Sequence, residues 1–457
     1  MRGRVAVLGG FDTHALPPRT MHSRCRLAGA GWSEVAPLGM FRALEATMER
    51  RVVIAASLAH GMTHALELTF AALLVRLGIE FGADVAVLGA VAYAGTVTFG
   101  AAALPSGWLI DRYGSRSVIV ASMWIAGVCA LIVAVSPTLP FLTVALTCLG
   151  AGIGLYHPAG TSMVATVAER RGLALAIQGL AGNLGIAAAP VAALTIAIAF
   201  DWRVAYAAFG IVAFGVGALV WRIAPSQVEA RDAITARLAR QTAAPSARVR
   251  TSPPSIRHWV TPSLLIIYLS AVLQGFIYRG SLTFLTLHLR DHLGIEVFGW
   301  EPDAVAGTAA TVVLLAAVFG QIAGGMLSDR ISLERALMPF VLVSVPLLFV
   351  IAGASGVVLL LASAGFVVAN FAQQPIFNGL ITDYSPPGAM GRAFGMSFFL
   401  TFGVGAIAAW FAGLLARAWG TPAVFYALTV VAVAMVLAMS IVAMGAERRR
   451  RPLDAMR

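Results

Sequence analysis

The chain contains no lysine, few cysteines and very little charge of either sign. Of its 457 residues, 59% are hydrophobic and only 12% are charged, whereas soluble globular domains carry about 25% charged residues. Because arginine is its only strongly basic residue, the formal net charge of +11 comes from arginine alone. The lack of lysine also excludes a Gly-x-x-x-x-Gly-Lys phosphate loop, and hence a nucleotide-driven motor of that type. This composition predicts an integral membrane protein.

The cysteines, the N-terminal segment and the placement of the arginines exclude further classes of protein. Cys25, Cys129 and Cys148 lack the spacing of a metal site, and the last two lie in apolar runs, so we expect no disulfide framework. Residues 1–50 lack a continuous apolar core, so we expect a polar tail there and no cleavable signal peptide. A basic soluble protein would suggest a nucleic-acid partner, but these arginines lie mostly in short connectors and near the chain ends. We therefore expect the lipid bilayer, and no nucleic acid, as a partner.

Twelve apolar runs approach the length of about 20 residues that a helix needs to cross a bilayer. The sequence therefore predicts an all-α membrane protein with twelve transmembrane helices in two six-helix bundles. The runs are 52–77, 85–109, 117–135, 139–167, 173–199, 203–223, 262–288, 304–327, 336–353, 356–383, 393–416 and 421–445. The corresponding divisions are a polar tail at 1–50, bundles at 51–223 and 260–445, a Pro- and Arg-rich cytoplasmic linker at 224–259, and a basic tail at 446–457.

The arginines predict on which side of the membrane each connector lies. Alternate connectors are rich in arginine, whereas those between them, such as residues 136–138, are short, apolar or acidic. The linker and the C-terminal tail are also rich in arginine, so we expect both termini to be cytoplasmic and the chain to lie in the inner membrane. The arginine-rich connectors contain Arg112, Arg116, Arg170, Arg171, Arg330, Arg335 and Arg392.

A charged hairpin recurs once in each half of the chain. Residues 107–116 are Gly-Trp-Leu-Ile-Asp-Arg-Tyr-Gly-Ser-Arg, and a reduced copy of this pattern surrounds Asp329. Asp329 follows Asp111 at almost the same interval as Pro375 follows Pro158, and that interval is nearly half the length of the chain. Landmarks at a nearly constant offset indicate that the two halves are repeats of one another.

The hairpin and the repeat resemble the major facilitator superfamily of secondary transporters. In that family the hairpin latches the two halves together on the cytoplasmic side, and the resemblance implies this role here. An ordinary charged loop that only follows the topology rule is the alternative. Parallel halves of this kind place a substrate between them, near the bilayer midplane. The matching positions are Gly107, Asp111, Arg112, Gly114 and Arg116, with Asp329, Arg330 and Arg335 in the second copy.

The first apolar run carries three ionisable residues at helical spacing, His60, His64 and Glu67. Positions i, i+4 and i+7 lie on one face of a helix, and ionisable groups at this depth usually face a cavity or a partner. Because histidine beside a carboxylate can carry a proton near neutral pH, we predict substrate contact or proton coupling. A hydrogen-bonded cluster that only joins helices is the alternative.

The histidines also resemble, in part, the histidine boxes of membrane di-iron oxygenases. His60-x-x-x-His64 is matched by His288-x-x-x-His292, and such boxes must converge on one pair of metal ions. Here the first pair falls within the membrane and the second near its outer surface. We therefore expect no metal site, no cofactor and no enzymatic activity.

Residues 150–190 resemble the fosmidomycin-resistance branch of the superfamily, although Ala189 stands where that branch often has glycine. The resemblance implies drug efflux by an antiporter. It also draws attention to His157, Gln178 and Asn183 as candidates for substrate binding or proton coupling. The residues that carry it are Gly150-Ala-Gly152-Ile-Gly154-Leu-Tyr156-His157-Pro158, Arg170-Arg171-Gly172, Gly182-Asn183-Leu-Gly185 and Pro190.

The second half carries its polar candidates in its first and fourth apolar runs. A buried arginine such as Arg279 is a natural partner for an anionic substrate, or for Glu67 across the interface. A purely structural Arg–Glu pair is the alternative, and amide side chains can simply join helices. The candidates are Gln274, Tyr278 and Arg279 in the first of these runs, and Asn370, Gln373, Gln374 and Asn378 in the fourth.

These patterns predict a secondary active transporter that exports a small anionic or polar compound by alternating access, with protons as the coupling ion. We expect it to act as a monomer. Two alternatives remain open at this point. One is uptake or exchange of an organic anion, and the other is a receptor or scaffold that has kept the fold without transport.

Overall fold

A computed structural model of the chain describes residues 47–83, 85–232, 235, 261–297, 299, 302–386 and 388–454. The predicted N-terminal tail up to residue 46, most of the predicted linker and residues 455–457 lie outside this description. All regular secondary structure within the described ranges is helical, and it forms twelve spans.

Six spans make up each half. Span 1 comprises Thr47–Ala72 and Leu74–Phe81; span 2, Val85–Ala101 and Ala103–Tyr113; span 3, Ser115–Ala134; span 4, Leu139–Gly154 and Tyr156–Val167; span 5, Arg171–Ala199; and span 6, Trp202–Ile223. Span 7 comprises Pro262–His292; span 8, Pro302–Leu315 and Ala317–Arg330; span 9, Leu333–Gly353; span 10, Gly356–Tyr384; span 11, Met390–Phe398, a π-helical segment Phe399–Val404 and Ile407–Trp419; and span 12, Thr421–Asp454.

The spans confirm the predicted twelve-helix architecture. Eleven of them are long and apolar enough to cross a membrane. Span 1 is the remaining one, and it carries His60, His64 and Glu67, whose polarity lowers its mean hydropathy. Span 12 continues as a helix to Asp454, past the end predicted at residue 445.

Local signals in the sequence explain several helix ends and breaks. The side chains of Thr138, Asp201 and Thr261 accept backbone N–H bonds at the starts of spans 4, 6 and 7, as N-cap residues do. Span 4 is interrupted at Leu155, where the next helical segment has Pro158 in its first turn. Proline has no N–H to donate to the preceding turn, so the helix is broken there.

Small residues let the spans of each half pack closely. In the first half, Gly185 of span 5 packs directly against the backbone of Gly61 in span 1. In the second half, Gly320 and Gly324 of span 8 pack against the span 10 backbone. Membrane helices have little hydrophobic drive to associate, and such close contacts supply the packing energy instead.

The two halves meet on the side that carries the arginine-rich connectors, here called the arginine-rich side. Span 2 crosses span 11 so closely that a Cβ atom on Gly107 would lie 2.6 Å from the carbonyl oxygen of Gly391. Span 5 crosses span 8 in the same way, where a Cβ on Gly325 would lie 2.6 Å from the Gly172 carbonyl oxygen. The repeat therefore builds two equivalent crossings.

Toward the opposite side the facing surfaces separate. On span 2, Tyr93 and Gly89 continue the face that Gly107 and Gly100 present to span 11. Tyr93 is 60% exposed, and a Cβ atom on Gly89 would meet nothing within 4 Å. The close contact between spans 2 and 11 therefore does not continue to this end of span 2.

Candidate functional site

The three ionisable residues that the sequence places on one face of span 1 form a chain of contacts in the structure, here called the ladder. The Nδ1 atom of His64 lies 2.7 Å from Glu67 Oε2, and the Nε2 atoms of His60 and His64 are 3.2 Å apart. The Nδ1 atom of His60 lies 2.7 Å from the backbone carbonyl oxygen of Gln178 in span 5. The three side chains therefore share one helical face, as their spacing predicted.

Span 4 adds Tyr156 and His157 to this ladder just after its break at Leu155. The Tyr156 hydroxyl donates to the Ala56 carbonyl oxygen over 2.5 Å and accepts from Gln178 Nε2 over 3.0 Å. The His157 ring meets the His60 and His64 rings edge-on, with centroids 5.1 Å away in both cases. Spans 1, 4 and 5 are thus joined by one polar cluster.

Span 5 makes room for the cluster through a glycine. A Cβ atom on Gly182 would lie 2.5 Å from the His60 ring, so a larger residue there would displace the imidazole. Gln178 is buried and serves the cluster through both its side chain and its carbonyl oxygen. Asn183 follows Gly182 in span 5, and the residue as a whole is half-buried. Its Nδ2 atom is fully buried and has no hydrogen-bond partner among the described residues.

Arg279 reaches the cluster from the second half. Its Nη2 atom lies 3.8 Å from Glu67 Oε1, and the two side chains are 26% and 25% exposed. Tyr278 beside it packs edge-on against Phe371 and Phe402, with ring centroids 6.0 and 6.2 Å away. The ion pair across the interface, which the sequence left as one of two options for Arg279, is present in the structure.

The span 10 amides divide between two locations. Asn370 Oδ1 accepts from Gln274 Nε2 over 2.9 Å, and Gln373 Nε2 donates to Ser344 of span 9 over 3.3 Å. Both contacts lie within the second half. Gln374 accepts from Gln321 over 2.7 Å, and Gln321 lies against Gly179 of the first half.

Asn378 is half-buried at the arginine-rich end of span 10. The structure therefore places Gln374 at the interface between the halves, whereas Asn370 and Gln373 join helices of the second half.

The aspartates of both hairpins bind the start of a span in the opposite half. Asp111 accepts from the backbone N–H groups of Gly391 and Arg392, over 2.8 and 3.3 Å, and from Arg392 Nε over 2.6 Å. Asp329 accepts from the N–H groups of Gly172 and Leu173, over 2.9 and 3.0 Å. A carboxylate at a helix N-terminus is stabilised by the unpaired N–H groups and by the helix dipole.

The other hairpin residues lie away from these contacts. Gly114 has a φ of +82°, which lets span 2 end and span 3 begin at one residue. Arg112 lies over the Trp108 ring at 5.3 Å, and Arg116 donates to the Trp221 carbonyl oxygen and lies over its ring at 4.2 Å. Arg330 and Arg335 are exposed near the second crossing.

Sequence reasoning missed several partners that the structure reveals. Arg392 and Arg171 make two further ion pairs between the halves, with Asp111 and Asp383 at 2.6 and 2.5 Å respectively. The sequence marks both arginines as indicators of topology, and Arg171 also as part of the branch resemblance, but it predicts no ion-pair partner for either. Phe402 was also missed, because nothing in the sequence shows that a π-helical segment turns its ring toward His157, 5.3 Å away.

The sequence matches the Major Facilitator Superfamily over residues 53–409 and 298–456. The chain belongs to the major facilitator superfamily. A "Probable sulfoacetate transporter SauU" from Cupriavidus necator is 26% identical over 257 residues, which is 55% of this chain and 58% of that protein. The alignment thus spans little more than half of the relative.

Solved structures show the same fold. The human organic anion transporter MFSD10 (TETRAN) superposes with a TM-score of 0.65 at 19% identity, covering 86% of this chain and 99% of that one. The proton:xylose symporter XylE superposes with a TM-score of 0.69 at 16% identity, covering 86% and 95%. These likenesses show the fold alone, and it is membership of the superfamily that makes the chain a multi-pass membrane protein of a transporter family and not of an enzyme family. Its placement in the fosmidomycin-resistance branch stays a prediction.

Proposed function

We propose that this transporter moves a small organic anion across the membrane with protons as the coupling ion. The observation that carries the proposal is the Arg279–Glu67 pair, which joins the two halves in the middle of the membrane at 3.8 Å. The two side chains are 26% and 25% exposed, so neither is fully enclosed. Ionisable residues within a membrane span are costly, and they usually mark the path of a substrate or an ion.

Arg279 is the group that we expect to hold the anion. A guanidinium binds carboxylate, sulfonate or phosphonate oxygens with two parallel hydrogen bonds, and its 3.8 Å contact with Glu67 is longer than such a bond. An arriving anion can therefore displace Glu67 from Arg279. The name of the sulfoacetate relative, which refers to a dianion, is in keeping with this choice of substrate class.

Glu67 is the group that we expect to exchange the proton. When an anion occupies Arg279, Glu67 loses the one arginine that lies within 4 Å of it among the described residues. A carboxylate without a counter-charge inside the membrane takes up a proton. His64, 2.7 Å away, provides the neighbouring position from which a proton can arrive or leave. Anion binding therefore favours proton binding, so that the anion and the proton are carried together.

The hairpins supply the gate of an alternating-access cycle. With the arginine-rich side placed in the cytoplasm by the positive-inside rule, the Asp111 and Asp329 contacts close the cytoplasmic entrance. Both contacts must break for the halves to rock and open inward. The protein would then act as a monomer in the inner membrane, with both termini in the cytoplasm.

Export competes with uptake or exchange of the organic anion, because gradients and not the fold set the direction of transport. A scaffold without transport is less well supported, since a chain released from transport has no need to keep Arg279 and Glu67 in register across the interface. The resemblance of residues 150–190 to the fosmidomycin-resistance branch favours export, whereas the linkage of anion and proton at Glu67 favours uptake.

Proteoliposomes that enclose a pH-sensitive dye test the proposal. An inward gradient of sulfoacetate or a small phosphonate should acidify or alkalinise the lumen, while a neutral sugar should not. Protons that leave as the anion enters indicate an antiporter suited to export, and protons that enter with the anion indicate a symporter suited to uptake. Anion flux with no pH change would overturn proton coupling, and no flux of any anion would favour the scaffold.

A further inference from the structure

Three histidines from two spans converge at the centre of the first half. His60 and His64 lie one turn apart on span 1, and the break in span 4 turns His157 toward them. One ring nitrogen of each residue lies within 4.8 Å of the other two. His157 is only 6% exposed, and its Nδ1 atom has no hydrogen-bond partner among the described residues.

The hydrogen bonds fix the protonation pattern of the first two rings. A carbonyl oxygen can only accept, so the His60 Nδ1 atom must carry the proton that it shares with Gln178. While Glu67 is ionised, as in its pair with Arg279, the His64 Nδ1 atom likewise donates to its carboxylate. Neutral imidazole has one N–H, so both Nε2 atoms then present lone pairs, and these face each other at 3.2 Å. Two lone pairs in this arrangement repel unless a cation lies between them.

We propose that His60, His64 and His157 form a binding site for a divalent transition-metal ion such as Zn²⁺ or Co²⁺. Ligands about 2.0–2.1 Å from a tetrahedral ion are separated by about 3.3 Å, and the two Nε2 atoms already stand at 3.2 Å. Imidazole nitrogen is a preferred ligand of these ions. Three imidazoles leave a fourth position for water or an anion.

The surroundings of the rings match those of metal-binding histidines. Such residues usually donate their second ring N–H to a carboxylate or a backbone carbonyl, which orients the ring and raises its basicity. Glu67 and the Gln178 carbonyl oxygen do this for His64 and His60. A proton shared by His60 and His64 would also relieve their repulsion, but it gives no role to the His157 ring nitrogen that lies within 4.8 Å of both.

Titration of the purified full-length chain with Co²⁺ tests the site independently of transport. We expect one ion per chain, with the intense visible absorption of four-coordinate Co²⁺ that Zn²⁺ abolishes by competition. H64Q and H157Q should each weaken binding by more than 10-fold. E67Q removes the hydrogen-bond partner of His64 and leaves all three proposed ligands in place, so it should weaken Co²⁺ binding by about 10- to 100-fold.

His292 offers a matched control. It forms a second i, i+4 histidine pair with His288, their ring centroids 4.5 Å apart near the outer end of span 7. H292Q should leave the Co²⁺ spectrum and affinity unchanged. The proposal is overturned if the wild-type chain shows no saturable binding. It is equally overturned if the signal persists in H64Q and H157Q variants that unfold at the wild-type temperature, or if it is lost in H292Q.

Discussion

The two halves of the transporter match at the arginine-rich side and differ at the centre. Asp111 and Asp329, which occupy equivalent places in the repeat, each bind backbone N–H groups at the start of a span in the opposite half. At the interval that separates these two aspartates, His64 and Glu67 of the first half correspond to Leu282 and Leu285 of the second. The aspartate contact thus occurs in both halves, whereas the ionisable cluster of His64 and Glu67 has no counterpart at the matching positions of the second half.

Under the proposed function, this difference follows from the different roles of the two regions. A gate that opens and closes by rocking would need equivalent contacts on both sides of the pseudo-symmetry axis. Anion binding and proton coupling would need unlike partners, because an anion site and a proton site have opposite charge preferences. His60 of the first half corresponds to Tyr278 of the second, and the cation Arg279 follows Tyr278 directly.

The largest effect is expected at Arg279, where the second half meets the ionisable cluster of the first half. R279Q should lower anion transport by at least about 10- to 100-fold, since a hydrogen bond to a charged group contributes about 1.5–3 kcal/mol. R290Q removes the same charge from the exposed outer end of span 7 and should leave transport nearly unchanged. Initial rates in proteoliposomes compare the two. Equal losses would mean that the general charge of span 7 matters and not the Arg279 site.

The next effect concerns the crossing of spans 2 and 11. G107L should hold the arginine-rich side open, because even a Cβ atom there would lie 2.6 Å from the Gly391 carbonyl oxygen. G89L occupies open space on the same span and is the control. Spin labels at the exposed residues Tyr113 and Ile331 report the opening as a longer distance. An unchanged distance in a folded G107L protein would contradict the crossing.

The two aspartate contacts should respond alike. D111A and D329A each remove two backbone N–H bonds at the start of a span in the opposite half. Caps contribute about 1 kcal/mol, so we expect each variant to shift the equilibrium roughly 5-fold or more toward the state that is open on the arginine-rich side. The same pair of spin labels measures both. A change of the spin-label distance in only one of D111A and D329A would show that the two aspartate contacts are not equivalent.

The smallest effect is expected in span 10. Gln373 corresponds to Tyr156 in the repeat, since each lies two positions before the matched proline of its half. Both bond within their own half, but Tyr156 bonds Gln178 beside His60, whereas Gln373 bonds Ser344 of span 9. Hydrogen bonds between membrane helices contribute about 0.6 kcal/mol on average, so Q373A should lower thermal stability slightly and keep transport within about two-fold. Y156F, which disturbs the Gln178 bond beside His60, should reduce transport more than it reduces stability. Equal transport by Q373A and Y156F would contradict the different roles assigned to these two matched positions.

The sequence predicts the fold well because its signals are local. Apolar run length gives the spans, and the repeated hairpin gives the two halves. The i, i+4, i+7 spacing of His60, His64 and Glu67 also survives in the structure, since it depends only on helix geometry.

The rest of the site depends on how spans turn against one another. The break at Leu155 sets the direction of His157, and no spacing rule connects that residue to span 1. The same holds for Gln373, whose amide faces Ser344 and not the interface. These orientations are set by packing between spans that are distant in sequence, so composition and periodicity do not reveal them.

The claim that the anion and the proton use different groups is tested most directly with E67Q. Exchange of labelled for unlabelled anion across the membrane needs only Arg279 and the gates, whereas net transport driven by a proton gradient also needs Glu67. We predict that E67Q keeps anion exchange and loses proton-driven accumulation. Proton-driven accumulation at the wild-type rate in E67Q would contradict the account.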